Sequence, residues 1–481
     1  MITEAFPKLN DARPIKAIRA FFASPWYPAL IVLLTVCSEL FALELYLYWT
    51  YLFFVILTVL VAEDTLPIVP MALCGYVSVS AVNNPGKRED TIFHSASSMT
   101  QLFVIVLFIA VFLIARFVSK LIYAPRRGVP RLTAGFVFLA AAYLLGGVAS
   151  KYYGGRTVLF GLAQILSLSF AYFYFYFTID WEKVKKEYLM FVVFLLGLGV
   201  AVEAAGMYFH AWVNLENIKR ESLYTGWGIY NNVGCILAMC IPAAFYFAAT
   251  RKEGWIFTVI GTAMAIALVF TQSRGSILFG LAVYLICAVM TLVKTKGKAR
   301  VKQLAVFIVL IATLAVCAAV MRERLSAFFK TIIELGTNSL GRNSIYKACW
   351  GKFQAYPFFG VGFYETPGGL LIDGNMLVLK PCPDDVFLPP RSHNTFFQLL
   401  ASGGIFAILA YLLHRIETII MLFRRPTCEK SFAAMCILAL LLTSLVDCHL
   451  FNFGPAIFYS VLLVFAEGEN KKRRSKEKAA A

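Results

Sequence analysis

Three side chains in this 481-residue chain have the types and placement that a reaction at a phosphate could use: Arg274, Arg342 and His393. Arg274 stands in Thr271-Gln272-Ser273-Arg274-Gly275, the whole connection between two apolar runs. An arginine there can simply snorkel to lipid headgroups. It can equally hold an anion, helped by the N–H groups of the helix expected to begin at Gly275. Ser273 and Gly275 are small enough to admit a bulky partner. Arg342 precedes Tyr346 in line with the apolar stripe of a predicted helix, where a purely solvated arginine would lie on the other face. Two planar guanidiniums on one side of a membrane suit a pyrophosphate, whose paired oxygens they can grip bidentately. His393, in Arg391-Ser392-His393-Asn394, sits where a long polar segment re-enters an apolar run. A lone histidine is more often structural than catalytic. An imidazole with an ordinary pKa of about 6.5 can nevertheless take a proton from a hydroxyl at neutral pH.

Other polar side chains fall on the same side. Ser273, Arg220, Asn232, Arg391 and Asn394 are expected to line a substrate site around the three. Asn231 and Asn232 stand at the start of a run, where they would cap a helix or bond a substrate. Asp447 and His449 follow another run and could border the same cleft. Glu203 and His210 lie within a run, where ionisable groups are functional unless paired with a neighbouring helix. Asp373, Asp384 and Asp385 could form a carboxylate site, but adjacent acids in a Pro-rich loop are usually just hydrated. No metal and no cofactor is expected. The eleven cysteines are scattered without a CxxC pair or a His/Cys cluster, which argues against zinc and a disulfide framework. Cys382 and Cys448 are a weak candidate pair.

The elements that must position these groups follow from composition. Sixty per cent of the residues are hydrophobic, 15% are charged, and the mean hydropathy is +0.74. No single soluble core of this size hides so much apolar surface, whereas lipid as solvent removes the difficulty. The net charge of +17 sits in short loops, where it sets topology, and no nucleic-acid partner is implied. Candidate spans lie near 27–43, 46–62, 65–81, 101–122, 132–149, 157–178, 188–211, 229–249, 255–271, 275–293, 302–320, 394–413, 431–448 and 454–467. The first three are short and crowded, and Pro67 and Pro70 interrupt the third, so the total is 12 to 14. The expected fold is all-α, a polytopic helical membrane protein with a helical extracytoplasmic loop domain.

Orientation is read from the basic residues. With the N-terminus inside, Arg116, Lys120, Arg126, Arg127 and Arg131, then Lys183, Lys185 and Lys186, fall inside, as do Arg251, Lys252 and Lys294. The basic tail joins them if the number of spans is even. The chain then divides into a cytoplasmic interfacial N-terminus (1–26), a transmembrane bundle (27–320), an extracytoplasmic loop (321–393), C-terminal spans (394–467) and a basic cytoplasmic tail (468–481). No cleavable signal is visible, and the multi-pass chain is expected in the cell's inner (cytoplasmic) membrane among its lipids, with its active site extracytoplasmic. In the loop, Leu325, Phe328, Phe329 and Ile332 predict one amphipathic helix. A second, from about Asn343 to Tyr356, has Tyr346, Cys349, Trp350 and Phe353 on one face and stops at Pro357.

Several of these pieces together resemble the bacterial O-antigen ligase and O-antigen polymerase family of membrane glycosyltransferases. They are Ser273-Arg274-Gly275, Gly341-Arg342 opening a helix that contains Trp350, Pro357-Phe358-Phe359-Gly360-Val361-Gly362, and His393-Asn394. Tyr230-Asn231-Asn232 is similar to the family's Asn-containing start of an earlier span, without the usual Pro between two Asn. The resemblance covers about residues 220–415 and implies a GT-C-like fold. It also implies an enzyme that takes a glycan from an undecaprenyl-pyrophosphate carrier and passes it to an acceptor hydroxyl on a glycan or a lipid anchor. Metal and nucleotide would play no part and the sugar carbon would be inverted. Arg274 and Arg342 would hold the pyrophosphate, and His393 would be the general base. Ligase and polymerase share these motifs and are not separated by them. A lipid-linked oligosaccharide flippase or other multi-span transporter is the alternative, but it should concentrate polar residues near the bilayer midplane.

Overall fold

The computed structural model describes residues 12–41, 43–75, 96–123, 128–151, 153–215, 218–337, 340–363, 370–372, 379–381 and 392–480. Its helices are α1 (Arg13–Phe22), α2 (Trp26–Leu40), α3 (Glu44–Val61), α4 (Ile68–Cys74), α5 (Ala96–Tyr123), α6 (Thr133–Leu145), α7 (Gly155–Ile165) and α8 (Ala171–Thr178). They continue as α9 (Tyr188–Asn214), α10 (Tyr230–Thr250), α11 (Gly254–Phe270), α12 (Arg274–Lys294), α13 (Gly297–Val320), α14 (Arg322–Thr337) and α15 (Leu340–Ala355). The last three are α16 (Thr395–Phe423), α17 (Cys428–Thr443) and α18 (Phe453–Ala480). A π turn at Leu166–Phe170 joins α7 to α8. Two short antiparallel hairpins, Tyr224–Thr225 with Gly228–Ile229 and Leu370–Ile372 with Leu379–Pro381, are the strands among the described residues. The protein is a polytopic all-α membrane protein.

Among the described residues, eight helices are each long and apolar enough to cross a membrane, or nine if the bent pair α1–α2 counts as one span. The expected 12 to 14 exceeds this. Of the remaining apolar runs, α6 and α11 are shorter apolar helices, and α4 has only seven residues, too few to cross 30 Å of hydrocarbon. Two further boundaries shift. The last helix continues from Phe453 to Ala480 instead of ending before a separate tail. Arg116, expected in a loop, lies inside α5, almost fully buried, and donates to the carbonyls of Ala62 and Glu63 at the end of α3.

The centre of the bundle is α10, with 89% of its span buried, against 6% for α13 at the periphery. Its neighbours are α9, α11, α12 and α17. Glycine makes the closest of these approaches possible. A Cβ at Gly234 would lie 2.8 and 3.0 Å from the Cβ atoms of Ser276 and Ser273, so a larger residue would push the start of α12 away.

The loop helices form where the amphipathic pattern placed them. Phe328 and Ile332 of α14 are buried, while Phe329 is exposed. On α15 the packed stripe is one step round from expectation. Ile345, Tyr346 and Cys349 meet Phe397 and Ala401 of α16, whereas Trp350 is 47% exposed. Past α15, the Pro357–Gly362 segment hydrogen-bonds into a kink in α16. Gly404 has φ +62°, which releases backbone groups on both sides. Val361 and Gly362 N–H then donate to the carbonyls of Ala401 and Ser402, and Ile405 and Phe406 N–H donate to those of Pro357 and Phe358. Pro357-Phe358-Phe359-Gly360-Val361-Gly362 is therefore the lock between loop and bundle.

Candidate active site

The site is assembled where α10 and α12 begin and α17 ends. α10 and α12 both start there and finish at the opposite end in Thr250–Arg251 and Lys294. Before α12 the chain turns sharply. Gln272 takes φ +55°, its side-chain Nε2 donates to the Ile218 carbonyl at 2.8 Å, and Ser273 follows as the helix cap. The helix begins at Arg274, one residue earlier than expected, so the guanidinium leaves from the first turn. The Ile218 bond also holds the turn Arg220–Ser222, whose Arg220 guanidinium lies 5.0 Å over the Tyr230 ring. The room beside Gly275 is filled by this chain itself. A Cβ there would lie 2.0 Å from Val446, so glycine at 275 lets the segment after α17 come in and bring Asp447.

One cavity of about 290 Å³ opens at this junction, lined among others by Arg220, Asn231, Ser273, Arg274, Arg342, Asp447 and His449. Arg220 and Arg342 are the positively charged neighbours of Arg274. Neither Arg274 nor Arg342 forms an ion pair among the described residues. Gathering like charges around a void costs free energy unless an anion enters. The uncharged and acidic lining residues are knitted together. Asn231 Nδ2 donates to Asp447 Oδ2 at 2.8 Å, and Ser273 Oγ lies 2.9 Å from Asn231 Oδ1 and 3.0 Å from Ser276 Oγ.

His393 stands beside Asp447, with Nδ1 3.4 Å from Asp447 Oδ1 and the ring part-exposed. Its backbone is left-handed at φ +53°, a strained conformation for a non-glycine residue and one that recurs at functional sites. Neighbouring contacts hold it there. Thr395 N–H donates to Ser444 O, Asn394 Nδ2 to Leu445 O, and Ser392 Oγ lies 3.2 Å from Cys448 Sγ. Tyr346 stacks on Phe397 at 4.6 Å and brings its hydroxyl 3.5 Å from the His393 carbonyl, tying the loop helix of Arg342 to the histidine. Burial by itself would raise the Asp447 carboxyl. The imidazoles of His393 and His449 and the Cys448 N–H outweigh that and hold it below the usual carboxylate range.

Of the residues expected here, the structure brings Arg220, Ser273, Arg274 and Arg342 to the cavity and His393 to its edge through Asp447. Asn232 does not line it. Its Oδ1 accepts from Asn452 Nδ2 at 2.8 Å, and Asn231 takes the position at the cavity. Neither asparagine caps α10, whose cap residue is Ile229. Asn394 serves as the cap of α16, accepting from the N–H groups of Phe396 and Phe397. Arg391, Asp373, Asp384, Asp385 and Cys382 lie outside the described residues. Glu203 is buried and accepts from Trp227 Nε1 at 2.6 Å, which anchors the hairpin leading to Tyr230. His210 is exposed on the same helix. Tyr230 and Gln272 were missed because their types carry no chemical signal. Asp447 and His449 did carry one, as ionisable residues at the end of a span.

The helical membrane bundle thus carries at one end a cavity lined by three arginines, with a histidine–carboxylate pair beside it. Residues 258–412 match the family model described as O-antigen ligase, a stretch that contains Arg274, Arg342 and His393. Over that stretch, about a third of its length, the chain is similar to the O-antigen ligase family. No protein of curated function matches the chain.

Proposed function

We propose that this protein transfers a glycan from an undecaprenyl-pyrophosphate carrier to an acceptor hydroxyl at the outer face of the cytoplasmic membrane. The observation that carries the reading is the shared cavity of Arg274, Arg342 and Asp447, with His393 3.4 Å from that carboxylate. In the reaction the acceptor oxygen forms a bond to the first sugar carbon as the bond from that carbon to the phosphate oxygen breaks. The guanidiniums of Arg274 and Arg342 stabilise the charge that collects on the departing pyrophosphate. The acceptor proton passes to His393, whose Nε2 is the nitrogen away from Asp447, and Asp447 stabilises the resulting imidazolium. Attack from the face opposite the leaving group inverts the sugar carbon. The arginines supply the positive charge that a divalent cation supplies in many phosphate enzymes, so transfer should persist in EDTA. The basic loop residues support placing the opposite end of the bundle in the cytoplasm. Hydrogen-bond distances at such sites commonly shorten when substrate binds.

The test is reconstitution of the protein in liposomes with an undecaprenyl-pyrophosphate glycan, candidate acceptors and EDTA. Lengthening of the glycan on its carrier identifies a polymerase, and a new conjugate identifies a ligase. Movement of the carrier across the bilayer without transfer would replace this reading with the transporter.

A further inference from the structure

The groups of the proposed reaction reach the site on separate elements: Arg274 on the first turn of α12, Arg342 on α15 and His393 ahead of α16. The connection between α17 and α18 meets the first and the last of these. Ser444 O and Leu445 O accept from the residues that follow His393, and Val446 lies against Gly275 beside Arg274. Asp447 comes next in the chain. How its carboxylate is turned therefore bears directly on the base.

One side chain grips that carboxylate and the start of α12 together. Asn231, half-buried in the first turn of α10, donates from Nδ2 to Asp447 Oδ2 at 2.8 Å. Its Oδ1 accepts from the Ser273 hydroxyl at 2.9 Å. An ionised carboxylate only accepts, so the amide must present its NH₂ to Asp447 and its oxygen to the hydroxyl, which can donate. The other carboxylate oxygen is fixed as well. Oδ1 accepts from the Cys448 N–H at 2.7 Å and lies 3.4 Å from His393 Nδ1. The last torsion of an aspartate is soft and broad on its own. With a donor on each oxygen it is held in one orientation, which keeps Oδ1 beside the imidazole. The next asparagine fastens the far end of the same connection, since Asn452 Nδ2 donates to Asn232 Oδ1 at 2.8 Å.

We infer that Asn231 is a positioning residue for the transfer, holding the Asp447 carboxylate turned toward His393 while Ser273 anchors the amide to the helix start that carries Arg274. Neither a residue without a donor nor one without an acceptor could make both bonds. This rests on the proposed function, because it takes His393 as the base.

Turnover is measured in liposomes with the undecaprenyl-pyrophosphate glycan and acceptor that the reconstitution finds active, and binding in nanodiscs with bare undecaprenyl pyrophosphate. Asn231→Leu, of similar size, is expected to lower turnover at saturating carrier about tenfold or more, because small misplacements of a catalytic group are costly. Affinity for the bare carrier should stay within about threefold. In the double variant of Asn231→Leu with Asp447→Asn, turnover should fall no more than about twofold below Asp447→Asn alone, since a residue acting through Asp447 has nothing left to position. Asn231→Ala repeats these measurements if the leucine variant does not fold. Turnover near wild type, an equal loss in binding the bare carrier, losses that multiply in the double variant, or failure of both variants to fold overturns the inference. A wild type that transfers nothing overturns the proposed function itself.

Discussion

Helix α16 separates two polar clusters whose charges are used in opposite ways. At its far end from His393, Arg415 lies 4.4 Å over the Tyr411 ring and 4.7 Å over the Tyr459 ring, and also donates to the Tyr459 hydroxyl. His414 Nε2 is 3.0 Å from that hydroxyl, and Glu417 accepts from the Gly135 N–H at 2.9 Å. Nearby, Glu467 accepts from Tyr172 and from the Arg131 N–H. Every one of these ionisable groups finds a partner within the chain. The cluster around Arg274 gathers like charges against a cavity, where neither Arg274 nor Arg342 has an ion-pair partner among the described residues. Ionisable residues inside a membrane protein are thus of two kinds: those that join helices, and those whose counter-charge must arrive from outside. The first kind should govern stability and the second activity.

The largest effect should come from His393→Ala. Loss of a general base lowers transfer about 10²- to 10⁴-fold, with insertion and carrier binding retained. Transfer close to wild type in liposomes would assign the base elsewhere and weaken the contrast at its strongest point. Arg274→Lys keeps the charge but replaces a planar fork with a point charge, and should cost about 10²- to 10³-fold in turnover. A lysine variant of near-normal rate removes Arg274 from the site. Asp447→Asn leaves His393 without its carboxylate and is expected to lower transfer about 10- to 100-fold.

That variant also has a signature in pH. The folded-state pKa of Asp447 is depressed, so its contribution to stability is present above the unfolded value of about 3.9 and is lost as pH falls through the folded one. The melting-temperature advantage of wild type over Asp447→Asn should therefore shrink between neutral pH and pH values below about 4. An advantage that grows on acidification contradicts the sign. The smallest effect on activity should follow Tyr459→Phe, which strips a hydroxyl shared by His414, Arg415 and Thr418. Stability should fall by about 1–3 kcal/mol while transfer per folded molecule stays within about twofold. A stable but inactive variant would join the two clusters functionally and end the distinction.

How much of this was legible before the structure depends on the range of the interaction. The helices at 188–214, 230–250 and 274–294 were readable because a run of apolar residues needs only lipid to become a span. The stripe on α15 was readable to within one step, since helical spacing names candidates but only packing against Phe397 and Ala401 selects among them. Arg274 and Arg342 drew notice as charges in line with apolar surroundings. The choice of Asn231 over Asn232 rested on Asp447 and Asn452, which lie far along the chain from both asparagines.

Local pattern and solvent preference alone made this chain a helical membrane protein with arginines and a histidine on one side. Which of those groups share a cavity was decided by close approaches at Gly234 and Gly275, where a missing Cβ admits Ser276 and Val446. Such contacts depend on two distant surfaces fitting within a few tenths of an ångström, and no period or composition in one dimension encodes that fit.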